Sequence, residues 1–167
     1  MRRTRMLDLG SASAPTIVDT NLLLLLMVGF FDISRIGRFK RTSRFSAMDF
    51  QLLVRFLEPV RRIVTTPHIL TEVSNLAGQM DRGLWPRFYL AYAKFIQRLD
   101  ELSDLNAKAI VATDLFRVFG LTDAVIAAVG SRSIRVLTDD LPLASALSGK
   151  GINVVVFDVL RNMAGLH

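Results

Sequence analysis

The chain has 167 residues, and its 21 Lys and Arg against 15 Asp and Glu give a net charge of +6 at pH 7. This length is typical of one domain with a substantial core, and a content of 51% hydrophobic and 22% charged residues excludes a disordered chain. Cysteine is absent and the only histidines are His68 and His167, which excludes disulfide scaffolds, thiol nucleophiles and Cys- or His-rich metal sites. Any catalysis is therefore expected to depend on carboxylates.

The N-terminal region predicts an arm followed by the first strand and helix of a domain. Residues 1–14 mix Arg, Ser, Ala and Gly without periodicity, and we expect them to form a flexible arm ahead of a single domain over residues 15–167. A short apolar strand is predicted over residues 15–19. Asn21 is a candidate cap for a helix over residues 22–30.

The most hydrophobic run of the chain covers residues 22–31 and is ten residues long. A membrane-spanning helix needs about twenty apolar residues, and Asp19 and Asp32 bound this run on its two sides. The basic N-terminus is typical of a signal peptide, but acidic residues separate it from the run and no small-residue cleavage site follows. We therefore expect a buried element of a cytoplasmic protein without a membrane partner.

A basic stretch over residues 32–46 has no acid after Asp32 and predicts an exposed loop. Its aromatic residues Phe39 and Phe45 suit stacking on bases, and its cations suit phosphates. A run of charge is equally common on a solvated surface, so contact with nucleic acid and simple solvation both stay open. The candidate nucleic-acid-binding residues are Arg35, Arg38, Lys40, Arg41 and Arg44.

The rest of the chain alternates predicted helices and strands. Thr66 as a cap and Pro67 at the first helical position open one helix, and Thr122 is the expected cap of a later one. Unalternating apolar strands separated by helices indicate an α/β fold with a parallel sheet covered on both faces. Helices are predicted over residues 47–57, 67–77, 84–99, 106–119, 123–129 and 141–147, and strands over residues 62–66, 134–138 and 152–157.

Acidic residues fall at the ends of several of these elements. Asp19 ends the first strand, Glu72 lies in the second turn of the helix after the second strand, and Asp123 opens a later helix. Asp139 and Asp140 directly follow the strand over residues 134–138. Ligand sites in open parallel sheets lie beyond the carboxyl ends of the strands, so we expect these acids to face one crevice.

A cluster of this kind requires a cation. Neighbouring carboxylates repel one another and raise each other's pKa unless a positive charge neutralises them. Mg²⁺ or Mn²⁺ prefers carboxylate and water oxygens, and such an ion can activate a water and stabilise the leaving oxygen of a phosphodiester. A basic protein with an acidic, metal-filled crevice suits a polyanionic substrate.

The acidic residues lie in four motifs, which are Ile17-Val-Asp19-Thr-Asn21, Thr66-Pro-His-Ile-Leu-Thr-Glu72, Gly120-Leu-Thr-Asp123-Ala and Leu137-Thr-Asp-Asp140-Leu-Pro-Leu-Ala144. In this order and spacing they resemble the PIN-domain nucleases, including the VapC-type ribonuclease toxins. The resemblance covers most of the chain, from residue 16 to residue 157. It implies a PIN-like three-layer α/β/α domain with a mostly parallel central sheet, whose acids bind Mg²⁺ or Mn²⁺ to hydrolyse RNA.

The resemblance also implies roles and partners. It implies an endoribonuclease that acts as the toxin of a toxin–antitoxin pair, with RNA as substrate, an antitoxin protein over the crevice and a homodimer as the assembly. Asp139 would occupy a variable place between Thr138 and Asp140, as a supporting residue of the site. The implied catalytic metal ligands are Asp19, Glu72, Asp123 and Asp140, with Asn21 as orienting neighbour and Thr138 as hydrogen-bonding support.

Other interpretations of the same residues remain open. Asp19, Asp123 and one of the two adjacent acids after Thr138 could serve only as helix caps or first-turn acids, and Glu72 could be an exposed helix residue. A haloacid-dehalogenase-type phosphatase also places an Asp after its first strand, but it needs Asp-x-Asp and this chain has Asn21 in the third position. A catalytically silent PIN fold that binds RNA or protein is the other alternative. For His68 a structural or surface role is expected.

Overall fold

The computed structural model describes residues 11–166. The predicted arm therefore lies outside the described residues up to residue 10. Residues 11–14 form a turn in which the Ala14 amide donates to the Ser11 carbonyl at 2.9 Å. The Arg135 guanidinium donates to the Ser11 carbonyl at 3.4 Å, which ties this turn to the domain.

The centre of the described chain is a five-stranded, all-parallel sheet with the strand order β3-β2-β1-β4-β5. Helices connect the strands, which confirms the predicted α/β class and fits a three-layer α/β/α PIN-like domain. The strands are β1 (Thr16–Val18), β2 (Ile63–Thr65), β3 (Asp100–Glu101), β4 (Arg135–Thr138) and β5 (Val154–Val156). The helices are α1 (Thr20–Asp32), α2 (Ala47–Leu57), α3 (Pro67–Ala77), α4 (Trp85–Ile96), α5 (Ala107–Ile110), α6 (Asp114–Phe119), α7 (Leu121–Gly130), α8 (Leu141–Gly149) and α9 (Phe157–Met163).

Residues 22–29 of the apolar run are the buried centre of the domain, as expected, whereas Phe30 at its end is 58% exposed. In the middle of the sheet β1 is buried along its whole length, and Ile17 pairs with Val64 on one side and Val136 on the other. The next element, α1, is apolar on all sides because it packs against α2, α3 and α4. Within residues 11–166 no helix is long and apolar enough to cross a membrane.

Several element boundaries differ from the predictions. Asp19, and not Asn21, caps α1, and α7 begins at Leu121 after Gly120 instead of following a Thr122 cap. Gly120 has φ +86°, a left-handed conformation that glycine adopts without the steric cost of a side chain. The predicted helix over residues 106–119 is two helices, because the Thr113 hydroxyl donates to the end of α5 and accepts from the start of α6. Two elements, β3 and α9, were not predicted.

The basic stretch is only partly the exposed loop that was predicted. Its cations are mainly at the surface, but Ile36, Thr42 and Phe45 are buried. The buried Thr42 hydroxyl donates to the Ile36 carbonyl at 2.8 Å, which closes the stretch into a folded turn. The segment over residues 32–46 is therefore packed against the domain and has most of its charged side chains at the surface.

Candidate functional site

The acidic residues lie at the carboxyl edge of the central strands. Pairing of β1 with β4 brings Val18 beside Leu137, so the residues after the two strands are adjacent. The Asp19 amide donates to the Leu137 carbonyl at 3.0 Å and extends this pairing by one residue. The parallel register therefore places Asp19 beside the segment that follows β4, as expected for open α/β sheets.

Asp19 is a buried carboxylate that is fixed on both oxygens. Its Oδ1 accepts from the Leu22 amide at 2.9 Å as the cap of α1, and its Oδ2 accepts from the Asp139 amide at 3.0 Å and from the Thr138 hydroxyl. The side chain is almost fully enclosed, since Asp19 is 4% exposed. Burial, and after it the charge of Asp139, raises the pKa of Asp19 to about 8 despite these hydrogen bonds.

Asp139 lies beside Asp19, although the resemblance placed it at a variable position of the motif. Its side chain is 5% exposed and forms an ion pair with the guanidinium of Arg44. Its Oδ1 accepts from the Asn21 amide group at 3.4 Å. Asn21 therefore orients Asp139, whereas the resemblance made it the orienting neighbour of Asp19.

The other three acids interact around Asp123, in the first turn of α7. Burial, and after it the charges of Asp140 and Glu72, raises the pKa of Asp123 to about 6. Asp140 caps α8 by accepting from the Leu143 amide at 2.8 Å. The Oε2 of Glu72 accepts from the Thr20 hydroxyl at 3.3 Å, and this contact joins Glu72 to the residue next to Asp19.

The five carboxylates thus form two neighbouring groups. One contains Asp19 and Asp139, and the other contains Asp123, Asp140 and Glu72. The capping interpretation holds for Asp19 and Asp140, whose side chains do cap helices. Capping does not explain the raised pKa of Asp19 and Asp123, which reflects burial together with like charge.

A cavity of about 590 Å³ opens beside the second group. Glu72 and Asp123 line it, so it is continuous with the acidic residues. The Nδ1 of His68 is shielded from solvent and has no hydrogen-bond partner among residues 11–166. The expectation that these acids face a crevice came from the sequence, but the walls of this cavity have no local signal, because it forms between α3 and the junction of α6 with α7. Its other lining residues are Pro67, Thr71, Asn75, Phe119, Gly120, Leu121 and Thr122.

The fit of these residues to a divalent cation depends on how many ligands the cation needs. Across residues 11–166 no three Asp, Glu or His side chains are arranged so that they could hold one metal ion together. Mg²⁺ usually takes only one or two carboxylates and completes its shell with water and substrate phosphate. Pairs of carboxylates therefore supply the oxygen ligands that Mg²⁺ or Mn²⁺ prefers. Within residues 11–166 the protein does not surround such an ion with three or more acidic or histidine side chains.

The candidate nucleic-acid-binding residues separate into two sets. Arg44 contacts the acidic residues through Asp139, and its guanidinium also lies 4.8 Å from the centroid of the Phe45 ring. The other four point elsewhere: Arg35 pairs with Asp32 at 3.1 Å, and the Nε of Arg41 donates to Gln79 at 2.7 Å. A separate cavity of about 300 Å³ is lined by Arg35, Arg38, Phe39, Lys40, Gln79, Met80, Asp81 and Leu84.

No protein-family model, curated protein or solved structure matches this chain. The resemblance to PIN-domain nucleases accordingly stands on the four sequence motifs. The geometry of the acidic residues is the independent observation that bears on function.

Proposed function

We propose that this protein is a divalent-metal-dependent endoribonuclease of the PIN type. The observation that supports the proposal is the approach of five carboxylates from four distant segments at the carboxyl edge of a parallel sheet. Burying like charges together is unfavourable for folding, so an arrangement that only stabilised the domain would avoid it. Binding of a cation would explain why these carboxylates lie together, because its positive charge offsets their repulsion.

The carboxylates have distinct tasks in this proposal. Asp19 with Asp139 as one pair, and Asp123 with Asp140 as another, would hold Mg²⁺ or Mn²⁺, with Glu72 beside them. When bound, the ion supplies Lewis-acid activation of a water and charge stabilisation at the scissile phosphate. The three hydrogen bonds to Asp19 keep its oxygens in a fixed direction.

RNA is the substrate class that best fits the surroundings of the acids. The chain carries a net charge of +6, which favours a polyanion. The cavity of about 590 Å³ beside Glu72 and Asp123 lies within the range of small-ligand sites and offers Phe119 and Asn75 to a nucleotide next to the cleaved bond. Arg44 adds a cation at the edge of the acidic residues.

The biological setting is carried by the resemblance alone. A single small PIN domain of the VapC type implies a cytoplasmic toxin that is inhibited by an antitoxin protein and forms a homodimer. The aromatic residues Phe88 and Tyr92 of α4 give a homodimer no support, since both are buried in the core of the domain.

The proposal is tested by RNA cleavage with matched variants. Single-stranded RNA should be cut in the presence of Mg²⁺ or Mn²⁺ and not in EDTA, and Asp19→Asn or Asp123→Asn should reduce the rate by about 100-fold or more. Asp114→Asn is the control, because it removes the same charge from a side chain that is 86% exposed on α6. Cleavage that survives in both site variants would refute the assignment of these residues.

A catalytically silent RNA-binding module is the second candidate. The absence of a three-ligand group within residues 11–166 favours it, as does the ion pair that already compensates Asp139. A protein that binds single-stranded RNA but cuts none, with either metal, would establish this candidate in place of the nuclease.

A further inference from the structure

The strongest unexplained contact of the acidic residues is the ion pair between Arg44 and Asp139. Asp139 is the carboxylate whose charge acts on the buried Asp19. The two partners differ in exposure, since the Arg44 side chain is 56% exposed and the Asp139 side chain is 5% exposed. A nearly buried carboxylate beside a second one requires a counter-ion, and Arg44 supplies it from the solvent side.

The fold holds the residues around Arg44 in place. Thr42, two residues before Arg44, is buried and its hydroxyl donates to the Ile36 carbonyl at 2.8 Å. The following Phe45 is buried too, and its ring packs edge-on against Phe157 with centroids 6.2 Å apart. Arg44 is therefore a side chain on an anchored backbone and not one on a loose loop.

A second set of contacts holds the residues that follow Phe45. Ser46 and Asp49 form a capping box at the start of α2, with Asp49 accepting from the Ser46 amide at 2.7 Å. The other oxygen of Asp49 accepts from the Nε of Arg161 in α9 at 2.7 Å. These partly buried contacts fix the end of the basic stretch to α9.

We propose that Arg44 is an internal counter-ion that occupies the cation position at Asp139, beside Asp19, and competes with a divalent metal ion for it. The inference rests on the proposed metal-dependent function. A guanidinium and a divalent ion both need the lone pairs of the same carboxylate oxygens, so they cannot be bound there at once. Arg44 is the partner that can leave, because more than half of its side chain already faces solvent.

Competition predicts that removing Arg44 strengthens metal binding. In isothermal titration calorimetry with Mn²⁺ alone, Arg44→Gln should bind about tenfold more tightly than the wild type, equivalent to about 1.4 kcal/mol. Arg38→Gln is the matched control, because it removes the same charge from an exposed arginine of the same stretch that lines a different cavity. Its affinity for Mn²⁺ should change by less than about twofold.

A double variant identifies the contact responsible. In an Asp139→Asn background the further change Arg44→Gln should leave Mn²⁺ affinity unaltered, since its partner is gone. Circular dichroism and urea unfolding of each variant verify that it is folded. Equal affinities of the wild type and Arg44→Gln, with Mn²⁺ bound by both, would overturn the counter-ion role and leave the proposed function standing. Failure of every variant to bind Mn²⁺ would overturn both.

Discussion

The buried carboxyl group of Asp19 makes the stability of the metal-free protein depend on pH. The pKa of Asp19 is about 8 in the folded protein against an ordinary value of 3.8. Between these two values the folded protein keeps a proton on Asp19 that the unfolded chain has lost. The free energy of unfolding therefore falls as pH rises through this window, by about 1.4 kcal/mol per pH unit for one group.

Asp19→Asn removes this dependence. From pH 5 to pH 7 the wild type should lose about 3 kcal/mol through Asp19, whereas a carboxamide does not titrate and loses nothing through this position. Asparagine can still accept from the Leu22 amide, but it loses one of the acceptors that serve Thr138 and the Asp139 amide, at a cost of about 1–2 kcal/mol at any pH. The variant should therefore become more stable relative to the wild type as pH rises.

Urea unfolding at a series of pH values in EDTA measures this difference. The quantity to compare is the free energy of unfolding of Asp19→Asn minus that of the wild type, which should rise by about 3 kcal/mol from pH 5 to pH 7. The control Asp114→Asn removes an exposed carboxylate and should give a difference that stays nearly constant. A constant difference for Asp19→Asn as well would show that Asp19 is ionised throughout and that burial does not raise its pKa.

Three further predictions concern metal linkage and packing. Mn²⁺ should raise the melting temperature more at pH 8 than at pH 5, because protons compete for the carboxylates; an equal rise at both pH values would contradict this linkage. Gly130→Ala should lower the free energy of unfolding, measured with urea, by about 1–3 kcal/mol, because its Cβ would lie 2.7 Å from the Ile152 side chain and 2.9 Å from that of Val136. An unchanged free energy would show that these two side chains move aside without cost. Arg135→Ala should cost about 2–4 kcal/mol by the same assay, since the buried guanidinium donates to Thr16 at 3.1 Å and lies over the Phe56 ring, and unchanged stability would exclude a structural role.

Helices with strong local signals could be predicted to the residue. The helix predicted over residues 47–57 coincides with α2. Thr66 with Pro67 gives the start of α3, because capping depends on the side chains of the cap and the first turn alone. The two-residue strand β3 carries no such signal, since Asp100 and Glu101 are both charged. Its place in the sheet comes from pairing with β2, a contact between distant parts of the chain.

The candidate site also has features that the sequence predicts and features that depend on tertiary contacts. Which acids follow which strands could be read from the sequence, and this gave the expectation of one crevice. Which of two adjacent acids lies against Asp19 could not, because the register of β1 with β4 decides it. The register brings Asp139 to Asp19, and Asp140 acts on Asp123 instead. The pairing of Arg44 with Asp139 is likewise a tertiary contact that no local pattern encodes.

The most direct test of the central claim is to locate a divalent ion in crystals. Crystals soaked in Mn²⁺ and measured for anomalous scattering should show a peak within coordination distance of the Asp19 or Asp123 carboxylate, with Arg44 moved away from Asp139 where the ion takes its place. Diffraction from well-soaked crystals with no peak at these carboxylates, or with peaks only at other surface acids, would contradict the claim.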